Sequence, residues 1–109
     1  MAEISIIIAC YNVEKYLMRC FESLEKQTIG MENMELIFVD DASTDHTWDM
    51  IQTIENQYPQ NVVAIHCDEN GRQGKARNIG MSYATADYIG FVDSDDWVEA
   101  NMYEILLDE

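Results

Sequence analysis

The chain has 109 residues, 48% of them hydrophobic, and a formal charge of −15 from 6 Lys plus Arg against 21 Asp plus Glu. That is one domain with enough apolar content for a core, and its charge argues against a nucleic-acid backbone or an anionic membrane surface as a direct partner. No apolar run approaches the roughly 20 residues that cross a bilayer, and Met1-Ala2-Glu3 lacks the basic flank of a secretory signal, so a cytoplasmic chain without a membrane segment is expected.

The first predicted element is a strand, the β-branched run Ile4-Ser5-Ile6-Ile7-Ile8-Ala9. Val13, Leu17, Cys20, Phe21 and Leu24 follow at helical spacing. Glu35 to Val39 is the second strand, and Trp48, Ile51, Ile54 and Tyr58 mark a second helix, with Ser43 or Asp45 as its cap and Pro59 past its end. Val62 to Ile65 is the third strand, and Asn70-Gly71 a turn after it. Ala76, Ile79, Gly80 and Tyr83 then mark a third helix, Tyr88 to Val92 a fourth strand, and a last helix lies near Val98 to Leu107. Strands this apolar fit a sheet covered on both faces, which means a parallel one. The alternation predicts an α/β domain: a Rossmann-like open, mostly parallel sheet with helices on both faces. Cys10, Cys20 and Cys67 are odd in number and lack metal spacing, so they read as small buried residues in a reducing compartment.

Ligands of such sheets bind beyond the carboxyl ends of the strands. After the first strand come Cys10-Tyr11-Asn12, after the second Asp40-Asp41, and after the fourth Asp93-Ser94-Asp95-Asp96. One acidic pair alone is as well explained by a helix cap and a solvated neighbour. Three carboxylates within four residues beside an apolar strand repel one another unless a cation offsets them, and oxygen-only ligands favour Mg²⁺ or Mn²⁺; a solvated acidic loop is the alternative. Arg72, Lys75 and Arg77 gather half of the basic residues within six positions, which suits a small anion or a solvated helix face. Metal and cations together describe a diphosphate site. Tyr11 could face a nucleobase or simply pack, and Asp41 could accept a base N–H. Gly71 and Gly74 read as allowing close backbone approach or as a flexible turn. No Gly-x-Gly-x-x-Gly or Gly-Lys-Ser/Thr fingerprint follows the first strand.

Four stretches in register, Ile4 to Asn12, Phe38 to Asp45, Gly74 to Gly80 and Tyr88 to Trp97, resemble the start of family-2 glycosyltransferases of the GT-A fold. The resemblance implies an inverting enzyme that moves a sugar from a nucleoside diphosphate, often UDP, to an acceptor hydroxyl in polysaccharide biosynthesis. It implies that Ala9 and Tyr11 border the base, that Asp41 receives the uracil imide N–H, and that Arg77 lies near the nucleotide. Asp93 and Asp95 would form the catalytic Asp-x-Asp motif, one toward ribose and one toward metal, with Ser94 beside the nucleotide and Asp96 as a further metal ligand. Ala42 stands where the family commonly has Gly, and Ala9 where a small polar residue is frequent.

On this resemblance, residues 1–109 are the donor-binding part, and the acceptor-binding half lies beyond Glu109. There would reside the general base and the site for a carbohydrate or lipid-linked acceptor, at the inner face of the membrane in a full-length protein. Glu99 and Glu104 read as helix surface. An apolar surface meant for that half would be uncovered and favour self-association. Two other classes compete. A receiver-like signalling domain would need its acidic pair after the first strand and a lysine after the last, and a nucleotidyltransferase would need a Gly-rich basic loop after the first strand.

Overall fold

A computed structural model describes residues 2–69 and 71–93, except for the side chains of Arg72, Gln73 and Asp93. Within them lie β1 (Ile4–Cys10), α1 (Leu17–Glu25), a 3₁₀ turn (Met31–Asn33), β2 (Met34–Asp41), α2 (Thr47–Gln57), β3 (Val62–Cys67), α3 (Arg72–Tyr83) and β4 (Tyr88–Asp93). Asn70 of the predicted turn and the helix predicted near Val98 to Leu107, with Glu99 and Glu104, fall outside the described residues.

The four strands form one parallel sheet in the order β3-β2-β1-β4. The chain steps one way from β1 to β3, then crosses back to the far side of β1. With a constant crossover hand, that reversal puts α3 on the opposite face from α1 and α2. Ile4, Ile6, Ile8 and Cys10 of β1, with Leu36 and Phe38 of β2, pack with Leu17, Phe21, Leu24, Ile51 and Ile54 on the α1/α2 face. Ile7, Ile37 and Val39 pack with Ala76 and Ile79 on the α3 face. The expected two-faced sheet is therefore present, and it explains why these strands do not alternate with polar residues.

Burial falls off at both margins. Only Val62 is fully buried in β3, and Tyr88, Ile89 and Phe91 of β4 are exposed together with Met81 and Tyr83 of α3. Tyr83, counted above as a core-facing position, is exposed instead, in the last turn of α3. At the amino edge, Ser5 Oγ donates to Glu35 Oε1 at 2.7 Å, and the Thr85 and Ala86 N–H groups donate to Glu35 and Ser5. These bonds lock the entry of β4 against β1 and β2. No helix among the described residues is long and apolar enough to cross a membrane.

Gly80 sets how closely α3 approaches. A Cβ there would lie 2.5 Å from Ile7 Cγ2 and 3.3 Å from Val39 Cγ2, both on stiff β-branched side chains in the core. Helix propensity alone would make Gly80→Ala stabilising by about 0.5–1 kcal/mol, but overpacking costs about 1–3 kcal/mol. A lower urea midpoint is the expected result for Gly80→Ala; a higher one would contradict this close packing.

Candidate functional site

The strand order reverses between β1 and β4, so the crevice for a ligand lies beyond the carboxyl ends of β1, β2 and β4. Register places the motif positions along that edge: Ala9 pairs with Asp93 on one side, Cys10 with Asp40 on the other, and Asp40 and Asp41 with His66 and Cys67. β2 runs two residues further than the apolar pattern suggested, so Asp40 and Asp41 lie inside the strand. Strand alternation then separates them. Asp40 shares the parity of Leu36 and Phe38 and turns toward α2, whereas Asp41 shares that of Ile37 and Val39 and turns toward α3. The sequence presents an acidic pair; the fold makes two separate carboxylates with different partners.

Asp41 is 4% exposed, and its Oδ1 accepts the Gly71 N–H at 2.8 Å at the start of α3. Gly74 lies inside α3, where an added Cβ would meet nothing among the described residues. Ala9 and Cys67 pack on the same α3 face. Arg77, also on α3, places its guanidinium 5.5 Å from the centre of the Phe91 ring, a cation–π contact with β4. Tyr11 is half exposed beyond β1, so its ring is available to a ligand. Lys75 is exposed, while the Arg72 side chain lies outside the description. Asp93 ends β4; Ser94, Asp95 and Asp96 lie outside the described residues. Among the described residues no group of three His, Cys, Asp or Glu side chains is placed to hold a metal.

Asp40 is fully buried, and its Oδ2 accepts from His66 Nδ1 at 2.8 Å while its Oδ1 accepts the Ser43 N–H at 3.3 Å. The His66 ring packs against Trp48 in a tilted contact, with centroids 4.9 Å apart and planes at 38°. Around this pair the loops after β1 and β2 are clasped together. Asn12, at φ 51°, accepts the Thr44 N–H on Oδ1 at 2.8 Å and donates its own N–H to Ser43 Oγ at 3.0 Å. Thr47 Oγ1 accepts the Val13 N–H, and Asp45 Oδ2 accepts the Glu14 N–H. The N-cap of α2 is His46, which makes no side-chain cap bond, rather than Ser43 or Asp45; Asp45, one residue earlier, accepts the Thr47 N–H on Oδ1 at 2.9 Å, and Ser43 Oγ is taken by the Asn12 N–H.

Ala42 has φ 59°, in the left-handed region. That conformation costs an L-residue about 1–2 kcal/mol, offset by the greater unfolded-state freedom of glycine, about 0.4–1 kcal/mol. Ala42→Gly is therefore expected to raise stability by about 0.5–1 kcal/mol in urea denaturation; a loss would contradict the strain.

Charges on the clasp are tuned in opposite directions. Desolvation pushes the Asp45 carboxyl up, but hydrogen bonds from the Thr47 hydroxyl and N–H and the Glu14 N–H together hold it below the ordinary 3.8. The His46 imidazole is raised above 6.5 by its hydrogen bond to Glu14 and the attraction of that carboxylate, against a small desolvation effect. A raised histidine stabilises the folded state fully below its unfolded value and loses that contribution as pH rises through the folded one. The melting temperature should fall more steeply between about pH 6 and pH 8 in the wild type than in His46→Gln; parallel slopes would contradict the clasp. The Cys67 thiol is pushed up by burial and by Asp41, with Asp40 and Asp68 adding to the effect and Lys75 opposing it. A shift in that direction favours the thiol over the reactive thiolate. Cys10 and Cys20 are buried and Cys67 partly so, close to the expectation.

His66 was not a candidate from the sequence, because only the ends of the first, second and fourth strands drew notice for carboxylates or an aromatic residue. Reading the end of the third strand with the same rule would have found it.

Comparison with known proteins decides between the competing classes. The model of the family "Glycosyl transferase family 2" matches residues 5–109. The chain belongs to that family. It is 41% identical over 105 residues to the minor teichoic acid biosynthesis protein GgaB of Bacillus subtilis (strain 168), covering 96% of this chain and 12% of GgaB. It is 41% identical over 103 residues to the glycosyltransferase GlyG of Streptococcus pneumoniae serotype 4, covering 94% of this chain and 33% of GlyG. Among solved structures, S. aureus TarS 1–349 in complex with UDP-GlcNAc superposes with a TM-score of 0.89 at 31% identity, over 99% of this chain and 30% of that one. The open parallel sheet is thus the GT-A fold, and the family-2 chain spans no more than about a third of these relatives.

Proposed function

We propose that residues 1–109 are the donor-binding part of a glycosyltransferase. In this reading they hold a nucleoside-diphosphate sugar, most simply a UDP-sugar, with Mn²⁺ or Mg²⁺, for transfer with inversion to an acceptor hydroxyl. The observation that carries it is the gathering of Asp41, Ala9, Tyr11 and the N-terminal end of α3 around the strand-order reversal. TarS, of the same fold, is solved with UDP-GlcNAc, which favours uracil as the base. Asp41, anchored by the Gly71 N–H, keeps a second oxygen for the imide N–H; Tyr11 and Ala9 border the ring; Arg77 and Ser94 lie toward the nucleotide.

The donor set of Asp93, Asp95 and Asp96 is all oxygen and begins where β4 ends beside Ala9, which suits a hard divalent cation. Carboxylates also crowd the neighbouring strand end, where Asp40, Asp41 and Asp68 lie with Lys75 around Cys67, so a cation would help a diphosphate approach there. When bound, such a cation neutralises the charge that develops on the departing diphosphate. The residues of this chain bind and orient the donor. A carbohydrate or lipid-linked acceptor, and the base that takes its proton, are assigned to residues outside this chain, in a cytoplasmic protein working at the inner membrane face.

A thermal-shift screen tests the reading. Saturating UDP or UDP-GlcNAc with Mn²⁺, at about 100 times Kd, should stabilise the chain by about 2.7 kcal/mol, or roughly 10 °C or more for a domain of this size. GDP should do less. No shift with any nucleotide would overturn it.

A further inference from the structure

We infer that His66 is a positioning residue for nucleotide binding, acting through Asp40 on the loops that carry Asp41 and Tyr11. The inference rests on the donor-site reading above. The His66 side chain is 40% exposed on the sparsely covered strand β3, so it is not a core filler. Its ring is nevertheless fixed, on Trp48 at one side and by the 2.8 Å bond from Nδ1 to Asp40 Oδ2 at the other.

Asp40 has no access to water, and a buried carboxylate must find its donors within the protein. Among the described residues it has two, and the Ser43 N–H at 3.3 Å is the weaker. From Ser43 the connection runs on, through its Oγ to the Asn12 N–H and through Asn12 Oδ1 to the Thr44 N–H. His66 therefore stands at one end of a chain of hydrogen bonds that crosses β2 and ends in the residue after Tyr11. Asp41, the proposed base reader, is the backbone neighbour of the carboxylate that His66 holds. Without the imidazole donor, Asp40 regains solvation most cheaply by opening the 42–45 loop to water. Asp41 and Tyr11 then lose their fixed positions together.

Two substitutions separate the donor from the ring. His66→Asn keeps an N–H near the Nδ1 position and loses the ring contact with Trp48; His66→Phe keeps the ring and loses the donor. Calorimetric titration of the full chain with UDP and MnCl₂ should give a Kd raised about tenfold in His66→Phe, the scale of one charge-assisted hydrogen bond. His66→Asn should stay within about threefold of wild type. In the wild-type protein, the His66 Nδ1–H signal in ¹⁵N-edited NMR should shift and exchange more slowly with water when UDP and Mn²⁺ are added, because coupling between sites is reciprocal.

Unchanged affinity in His66→Phe, even with a lower melting temperature, would make the role purely structural and overturn the inference. So would equal losses in both variants, or an Nδ1–H signal indifferent to UDP should His66→Phe not fold. Failure of the wild-type chain to bind UDP at all would instead overturn the donor-site reading, and this inference with it.

Discussion

Asp41→Ala is expected to weaken UDP binding by about 10- to 150-fold, the equivalent of about 1.5–3 kcal/mol for a hydrogen bond to a charged group. The carboxylate is 4% exposed, and one oxygen is already committed to the Gly71 N–H at 2.8 Å. Its direction is therefore fixed before any ligand arrives, and little entropy is lost when the second oxygen takes a base N–H. The alanine variant removes that acceptor and leaves the Gly71 N–H without its partner, so a stability loss of about 1–3 kcal/mol should accompany the loss of affinity. Calorimetry with UDP, paired with a melting curve, separates the two. Wild-type affinity in a folded Asp41→Ala protein would remove Asp41 from the site.

The largest effect on stability is expected at Phe38. Its side chain is wholly buried in β2, packs edge-on against Phe21 at 6.4 Å between ring centres, and lies opposite Ile8 in register. Phe→Ala in such a core costs about 3–5 kcal/mol, a large share of the roughly 5–15 kcal/mol that holds a domain together. Phe38 is also two residues from Asp40, so the cavity would open beneath the carboxyl edge. Urea denaturation should show the midpoint falling with little change in slope. A cost below about 1 kcal/mol would mean that the α1/α2 face is loosely packed.

Much of the fold was legible because the signals were redundant. The runs Ile4 to Ala9 and Leu36 to Val39 are too uniformly apolar for a sheet with one wet face, and the intervening helical spacing required crossovers. Asp40 and Asp41 were visible as residues but not as a geometry. Their opposite directions follow from strand alternation, which became readable only once β2 was known to extend through Asp41. α1 starts at Leu17 rather than near Val13; before it the Tyr16 and Leu17 N–H groups both turn back to the Val13 carbonyl, while the Val13 N–H is taken by Thr47 Oγ1, a partner 34 positions away. The clasp from Asn12 to Asp45 and the His66–Asp40 pair are likewise contacts between distant segments. Single polar residues in loops carry no periodicity that would announce them.

Titrating UDP into the chain with and without Mn²⁺ tests the central claim most directly, that this edge of the sheet is a metal-assisted site for a nucleoside diphosphate. An affinity at least about tenfold higher with Mn²⁺, a gain of about 1.4 kcal/mol, is predicted for the wild type, and Asp95→Ala should abolish the difference. Identical UDP affinity with and without the metal would contradict it.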